Sequence, residues 1–169
     1  MIIVLCIPGW WKMRKIRKRT GKFARNLIIP HRNTGLIPMF VSLNSQFLKA
    51  ESVKISPFDH GFLYGDGVYE TMRTYRGKPW QLPLHLKRLE NSLQVAQIRL
   101  PWSMKKVEHM ILELIAKNNY PESRIRLMVT RGVSTTKGAV FEPKSVDSPT
   151  LFITCYRIPM WKPGSVATG

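Results

Sequence analysis

SPFDHGFLYGDGVYETMRTYRGKPWQLPLHLKRLENS, residues 56–92, is the stretch from which the fold can be read. It opens on a turn-forming Ser-Pro-Phe-Asp and then passes Gly61, Gly65 and Gly67 within seven residues. Glycines that close let backbone approach backbone or ligand, and they admit positive φ. From Val68 to Tyr75 the chain alternates: Val68, Glu70, Met72 and Thr74 share one face, and Tyr69, Thr71, Arg73 and Tyr75 the other. That period of two predicts a strand. Arg76-Gly77-Lys78-Pro79 makes a turn, and Pro83 suits the first turn of a helix. Leu86, Leu89, Leu93 and Ala96 then recur at helical spacing, with Pro101 beyond the end.

The flanks extend the pattern. Two short strands are expected from Phe40 to Val53, around Asn44-Ser45. Asn-Gly would favour a tight primed turn there, and Ser45 in place of glycine predicts a looser one. Ser103 is a good N-cap for a second helix carrying Met104, Val107, Met110, Ile111 and Leu114, which Asn118-Asn119 and Pro121 end. Ile125, Leu127 and Val129 alternate with polar neighbours. A polar stretch from Ser134 to Ser148 precedes a last strand, Thr150 to Arg157. The order of elements predicts an α+β fold, a mostly antiparallel sheet with two helices packed on one face.

These motifs resemble one family. DHGFLYGDGVYE (59–70), the Tyr-x-Gly turn, HLKRL (85–89), RIRLMVTRG (124–132) and the short opening MFVSLNSQF (39–47) match, in order, the fold-type IV pyridoxal-phosphate enzymes. That family holds branched-chain and D-amino-acid aminotransferases and 4-amino-4-deoxychorismate lyase. The resemblance covers about Met39 to Pro159 and implies the small N-terminal domain of such an enzyme. The expected domains are therefore 39–159, preceded by a basic extension over 1–38 and followed over 160–169 by the start of an interdomain linker.

Composition separates the arm from the domain. The net charge is +17, yet the first 38 residues hold nine lysines or arginines and no acid, more than half of the excess. Such an arm could meet nucleic-acid phosphates or an anionic membrane, or serve as a targeting segment. The plainer expectation is a disordered extension, with Met39 as a plausible initiator and no nucleic-acid partner. Residues 1–11 are apolar but too short to span a bilayer. Two cysteines, Cys6 and Cys155, give neither a metal spacing nor a disulfide framework, so a reducing, cytoplasmic setting is expected.

The candidate site residues follow. His85 and Arg88 are three apart on one helical face. A guanidinium is planar, permanently charged and suited to a phosphate. The resemblance carries onto Arg88 the role of binding the phosphate of pyridoxal 5'-phosphate, with His85 as its support. It places Tyr69 and Tyr64 toward the substrate, although aromatics in a strand also simply pack. It sets Arg126 near a substrate carboxylate. Arg131-Gly132 matches a Thr-Arg-Gly strand end of the D-amino-acid and lyase branches. The Arg-x-His that follows in the D-enzymes is absent: STTKGAVF (134–141) offers Lys137 as its only cation, a further substrate-binding candidate. Asp59 and Asp66 read as turn residues that cap local backbone.

Transamination needs a lysine that forms a Schiff base with the cofactor and returns as proton carrier, and usually an acid at the pyridine nitrogen. The resemblance puts both downstream of the matched region. Lys162, in Met-Trp-Lys-Pro-Gly, lacks the context expected after that lysine. No catalytic residue is therefore expected in this chain, which alone should not transaminate. The function implied is that of an amino-acid aminotransferase, branched-chain type, using amino acids and 2-oxo acids as a homodimer. The alternatives are the lyase, a non-catalytic remnant, and anionic-polymer binding through the arm.

Overall fold

The computed structural model describes residues 40–134, 146 and 148–158. The expectations for the arm 1–38, for Lys137 and for the 160–169 segment with Lys162 lie outside those residues. The elements run β1 (Phe40–Leu43), β2 (Gln46–Lys49), a 3-10 turn (Ala50–Ser52), α1 (His60–Tyr64), β3 (Gly67–Tyr75), β4 (Lys78–Pro79), α2 (Leu82–Ala96), α3 (Met104–Asn118), β5 (Ser123–Thr130) and β6 (Thr150–Arg157). The six strands form one sheet in the order β2-β1-β6-β5-β3-β4, and every pairing is antiparallel. The fold is the expected α+β arrangement.

Both periodicities meet in one core. Met72 on β3, Ile125, Leu127 and Val129 on β5, and Leu151, Ile153 and Cys155 on β6 point to one side of the sheet. Leu86, Leu89 and Leu93 of α2 and Val107, Met110, Ile111 and Leu114 of α3 cover them. Each such side chain withdrawn from water contributes about 1.5–3 kcal/mol. The opposite side of β3 and β5 stays open: Tyr69, Tyr75, Arg124 and Arg126 are exposed.

Two local features differ from expectation. The β1–β2 turn is tight despite Ser45, because Asn44 (φ 48°) and Ser45 (φ 67°) both take left-handed backbone. Tertiary contacts hold it there: Asn44 N–H donates to the Leu151 carbonyl (2.9 Å), and Leu151 N–H donates to Asn44 Oδ1 (2.8 Å). The glycine bend contains the five-residue helix α1, which Asp59 caps by accepting the Gly61 N–H at 2.7 Å.

Asn118 performs more than the helix stop read from its sequence. Its amide accepts from Phe40 N–H and donates to Phe40 C=O, both at 2.9 Å, so a side chain stands in for a neighbouring strand at the start of β1. Glu113 and Lys117, four apart on α3, form an ion pair at 3.6 Å.

Candidate functional site

The bend between α1 and β3 is pressed onto the end of β5. A Cβ at Gly67 would lie 2.6 Å from the Val129 carbonyl oxygen, so only glycine lets the two backbones approach this closely. Gly65 closes α1 with φ +67°, and a Cβ there would meet nothing within 4 Å. The outgoing strand starts at Gly67 and carries Tyr69 and Glu70 on opposite faces.

Glu70 organises the chemistry on the helix side. Its side chain is 4% exposed. Its two oxygens receive Arg88 Nε at 2.6 Å and Arg88 Nη2 at 2.5 Å, and His85 Nδ1 lies 2.8 Å from Oε2. The (i, i+3) spacing on α2 is what brings both side chains onto one carboxylate. Burial alone would push the Glu70 carboxyl up. The Arg88 and His85 hydrogen bonds and the attraction of their charges outweigh it and hold the group below the usual carboxylate range. The hydrogen bond to Glu70, and then the attraction of its charge, raise Arg88 in turn. Arg88 remains 67% exposed, so with Nε and Nη2 on Glu70, its Nη1 edge is oriented yet open to an incoming anion.

On the open face, the Arg126 guanidinium lies over the Tyr69 ring, 4.9 Å from its centroid. Stacking of this kind leaves the in-plane donors of the guanidinium for another ligand. Tyr64 is 42% exposed and meets the buried His60 ring edge-on, with 5.0 Å between centroids. Asp66 does not cap backbone as expected: its carboxylate receives the Arg131 guanidinium at 2.5 and 3.1 Å.

Of the expected residues, Arg88 and His85 gather on Glu70 at the helix side of β3, Tyr69 and Arg126 pair on the open side, and Tyr64 stands with His60 on α1. Lys137 lies outside the described residues. Glu70 and Asp66–Arg131 are the contacts that sequence reasoning missed. For Glu70 a signal existed, since a carboxylate sharing a strand face with Val68 and Met72 needs a partner. A half-open cleft of about 960 Å³ lies at the end of α2, lined by residues including Gln94, Gln97, Trp102, Met104 and Arg131. None of Arg88, Tyr64, Tyr69 and Arg126 lines it. The site is therefore read from the side-chain chemistry of β3 and α2 and not from this cleft. No described helix is long and apolar enough to cross a membrane. No cluster of metal-ligating side chains occurs among the described residues.

Comparison with known proteins gives the following. The family model of Amino-transferase class IV matches residues 67–165. A Methanocaldococcus jannaschii protein, provisionally named a branched-chain-amino-acid aminotransferase, is 38% identical over 122 residues, covering 72% of this chain and 41% of that protein. The aminodeoxychorismate lyase of Bacillus subtilis is 35% identical over 135 residues, covering 75% and 44%. Among solved structures, the T.th. branched-chain amino acid aminotransferase with pyridoxamine 5'-phosphate superposes with a TM-score of 0.68 at 24% identity. That match covers 75% of this chain and 42% of the other, and it speaks to the fold. The chain spans less than half the length of the curated relatives it matches.

Proposed function

We propose, on the premise that this chain belongs to the class IV aminotransferase family, that it supplies the phosphate anchor and one substrate-facing wall of a pyridoxal-phosphate enzyme acting on amino acids. The observation that carries this reading is Arg88, locked by buried Glu70 with its Nη1 edge unspent. That donor set fits a phosphate: a fixed cation held on the strand that leaves the glycine bend, with no competing anion on its free edge among the described residues.

In this reading Arg88 binds the cofactor phosphate and Glu70 orients Arg88. His85 buttresses the carboxylate through Nδ1. Pyridoxal phosphate, when bound, supplies the electron sink for bond changes at the amino-acid α-carbon. Tyr69 and Tyr64 shape the substrate side, and Arg126, stacked on Tyr69, takes a substrate carboxylate. Lys137 is a further substrate contact in the same proposal. The exposed Phe58, Phe62 and Leu63 around α1 support burial against a second body, as in a homodimer. The lysine that completes the chemistry is assigned to no residue of this chain.

The favoured activity is amino transfer from a branched-chain amino acid to a 2-oxo acid. The lyase reading is supported by the longer match to the Bacillus subtilis enzyme. An assay that sets pyruvate release against glutamate formation separates the two. The anchor itself is tested by titrating the protein with pyridoxal phosphate and with pyridoxal. Arg88→Gln should abolish the preference for the phosphorylated form and leave the pyridoxal affinity alone. An unchanged preference would overturn the reading.

A further inference from the structure

Arg131, at the end of β5, is 12% exposed and spends its guanidinium on two separate segments. Nε donates to Asp66 Oδ2 at 2.5 Å and Nη2 to Asp66 Oδ1 at 3.1 Å, which grips the glycine bend. Nη2 also donates to the Ala96 carbonyl at 2.9 Å, and Nη1 to the Gln97 carbonyl at 3.2 Å. Those carbonyls are the orphan acceptors at the C-terminus of α2, where a cation is electrostatically favoured. A backbone bond from Arg131 N–H to the Asp66 carbonyl, 3.1 Å, adds a third tie to the bend.

α2 is thereby tied to the β3 side of the molecule at two points of contact: Glu70, held by both His85 and Arg88, and Arg131 at the helix end. One such contact alone would let the helix pivot about it, because the leucine packing beneath is non-directional. Two contacts fix the helix in rotation and in register. We propose that Arg131 is a positioning residue: it sets the Gly65–Gly67 bend against α2, and so the spacing between Tyr69 and the free edge of Arg88. This inference rests on the reading of Arg88 as the phosphate anchor. Lysine cannot replace Arg131 here, since one ammonium cannot reach a carboxylate and two carbonyls in a fixed fork.

The test compares Arg131→Lys and Arg131→Met with wild type. The readouts are amide hydrogen exchange, the NMR signals of the His60 ring (which report its edge-on contact with Tyr64) and the preference for pyridoxal phosphate over pyridoxal. In Arg131→Lys the amides of residues 61–67 should exchange about tenfold faster, as loss of charge-assisted hydrogen bonds implies. The His60 signals should shift and the preference should weaken, while β5 and β6 amides keep their wild-type rates. Wild-type exchange in the bend, or acceleration spread evenly over the whole sheet, would overturn the proposal. So would an unchanged ligand preference alongside a loosened bend. Should Arg131→Met fail to fold, Arg131→Lys carries the test. Arg88→Gln is measured in parallel: it should remove the preference and leave bend exchange untouched. If it leaves the preference intact, the anchor reading fails, while the exchange and ring signals still decide whether Arg131 holds the bend.

Discussion

Arg88 approaches Glu70 as a two-pronged fork, Nε to one oxygen at 2.6 Å and Nη2 to the other at 2.5 Å. The carboxylate is buried and the guanidinium is open to solvent, 4% against 67% exposed. That asymmetry makes the two halves of the pair unequal. Arg88→Met strands a buried carboxylate with His85 alone. Glu70→Met merely releases an exposed cation and fills its place with an apolar chain. Urea unfolding should therefore rank Arg88→Met as less stable than the double variant Arg88→Met/Glu70→Met. Equal midpoints would show that the pair contributes nothing through its burial.

Acid should weaken the same contact. The Glu70 carboxyl titrates below its unfolded value of about 4.3. A group depressed in this way contributes stability that is complete above the unfolded value and is lost as pH falls through the folded one. The stability difference between wild type and Glu70→Gln should hold steady at neutral pH and shrink below about pH 4.3. Thermal midpoints of both proteins across that range provide the measurement.

The glycines of the bend should not be interchangeable. Gly67→Ala drives a methyl group into the Val129 carbonyl, 2.6 Å away, and costs about 2–3 kcal/mol as overpacking does. Gly65→Ala meets no atom and bears only the left-handed backbone at φ +67°, about 1 kcal/mol. Gly65→Asn should cost less still. Chemical denaturation of the three variants checks the order.

Asn118 predicts a coupling between distant parts of the chain. Asn118→Ala leaves the Phe40 N–H and C=O without their side-chain partner, a loss of about 1–3 kcal/mol. Asn118→Asp can still accept from Phe40 N–H but turns a carboxylate oxygen toward the Phe40 and Leu114 carbonyls in a buried site, and should cost at least as much as alanine at neutral pH. Hydrogen exchange at Phe40 reports the loss directly.

Much of this architecture was legible in the residues themselves. The alternation from Val68 to Tyr75 and the leucines of α2 gave the sheet face and the helix face. Ser103 marked the start of α3, where its Oγ accepts the Lys106 N–H. What was not legible depends on contacts remote in sequence. Ser45 argued for a loose turn, and bonds from Asn44 to Leu151 made it tight. Asp66 looked like a local cap, and its partner Arg131 lies 65 residues on. Glu70 carried a warning in its buried register, but which cations would answer it depended on where α2 lands on β3. A local pattern reports local preference, and these three positions are settled by the packing of one element on another.

The strand order has a consequence for how the molecule is made. β1 lies between β2 and β6, and Val41 pairs with Thr154, more than a hundred positions later in the chain. During synthesis the β1–β2 hairpin must wait for β6 to emerge, roughly 5–20 seconds at ordinary ribosome speeds. Over that interval its inner edge presents unpaired backbone groups to any passing strand. A nascent-chain chaperone that shields such edges would be most needed here, before β6 has left the exit tunnel.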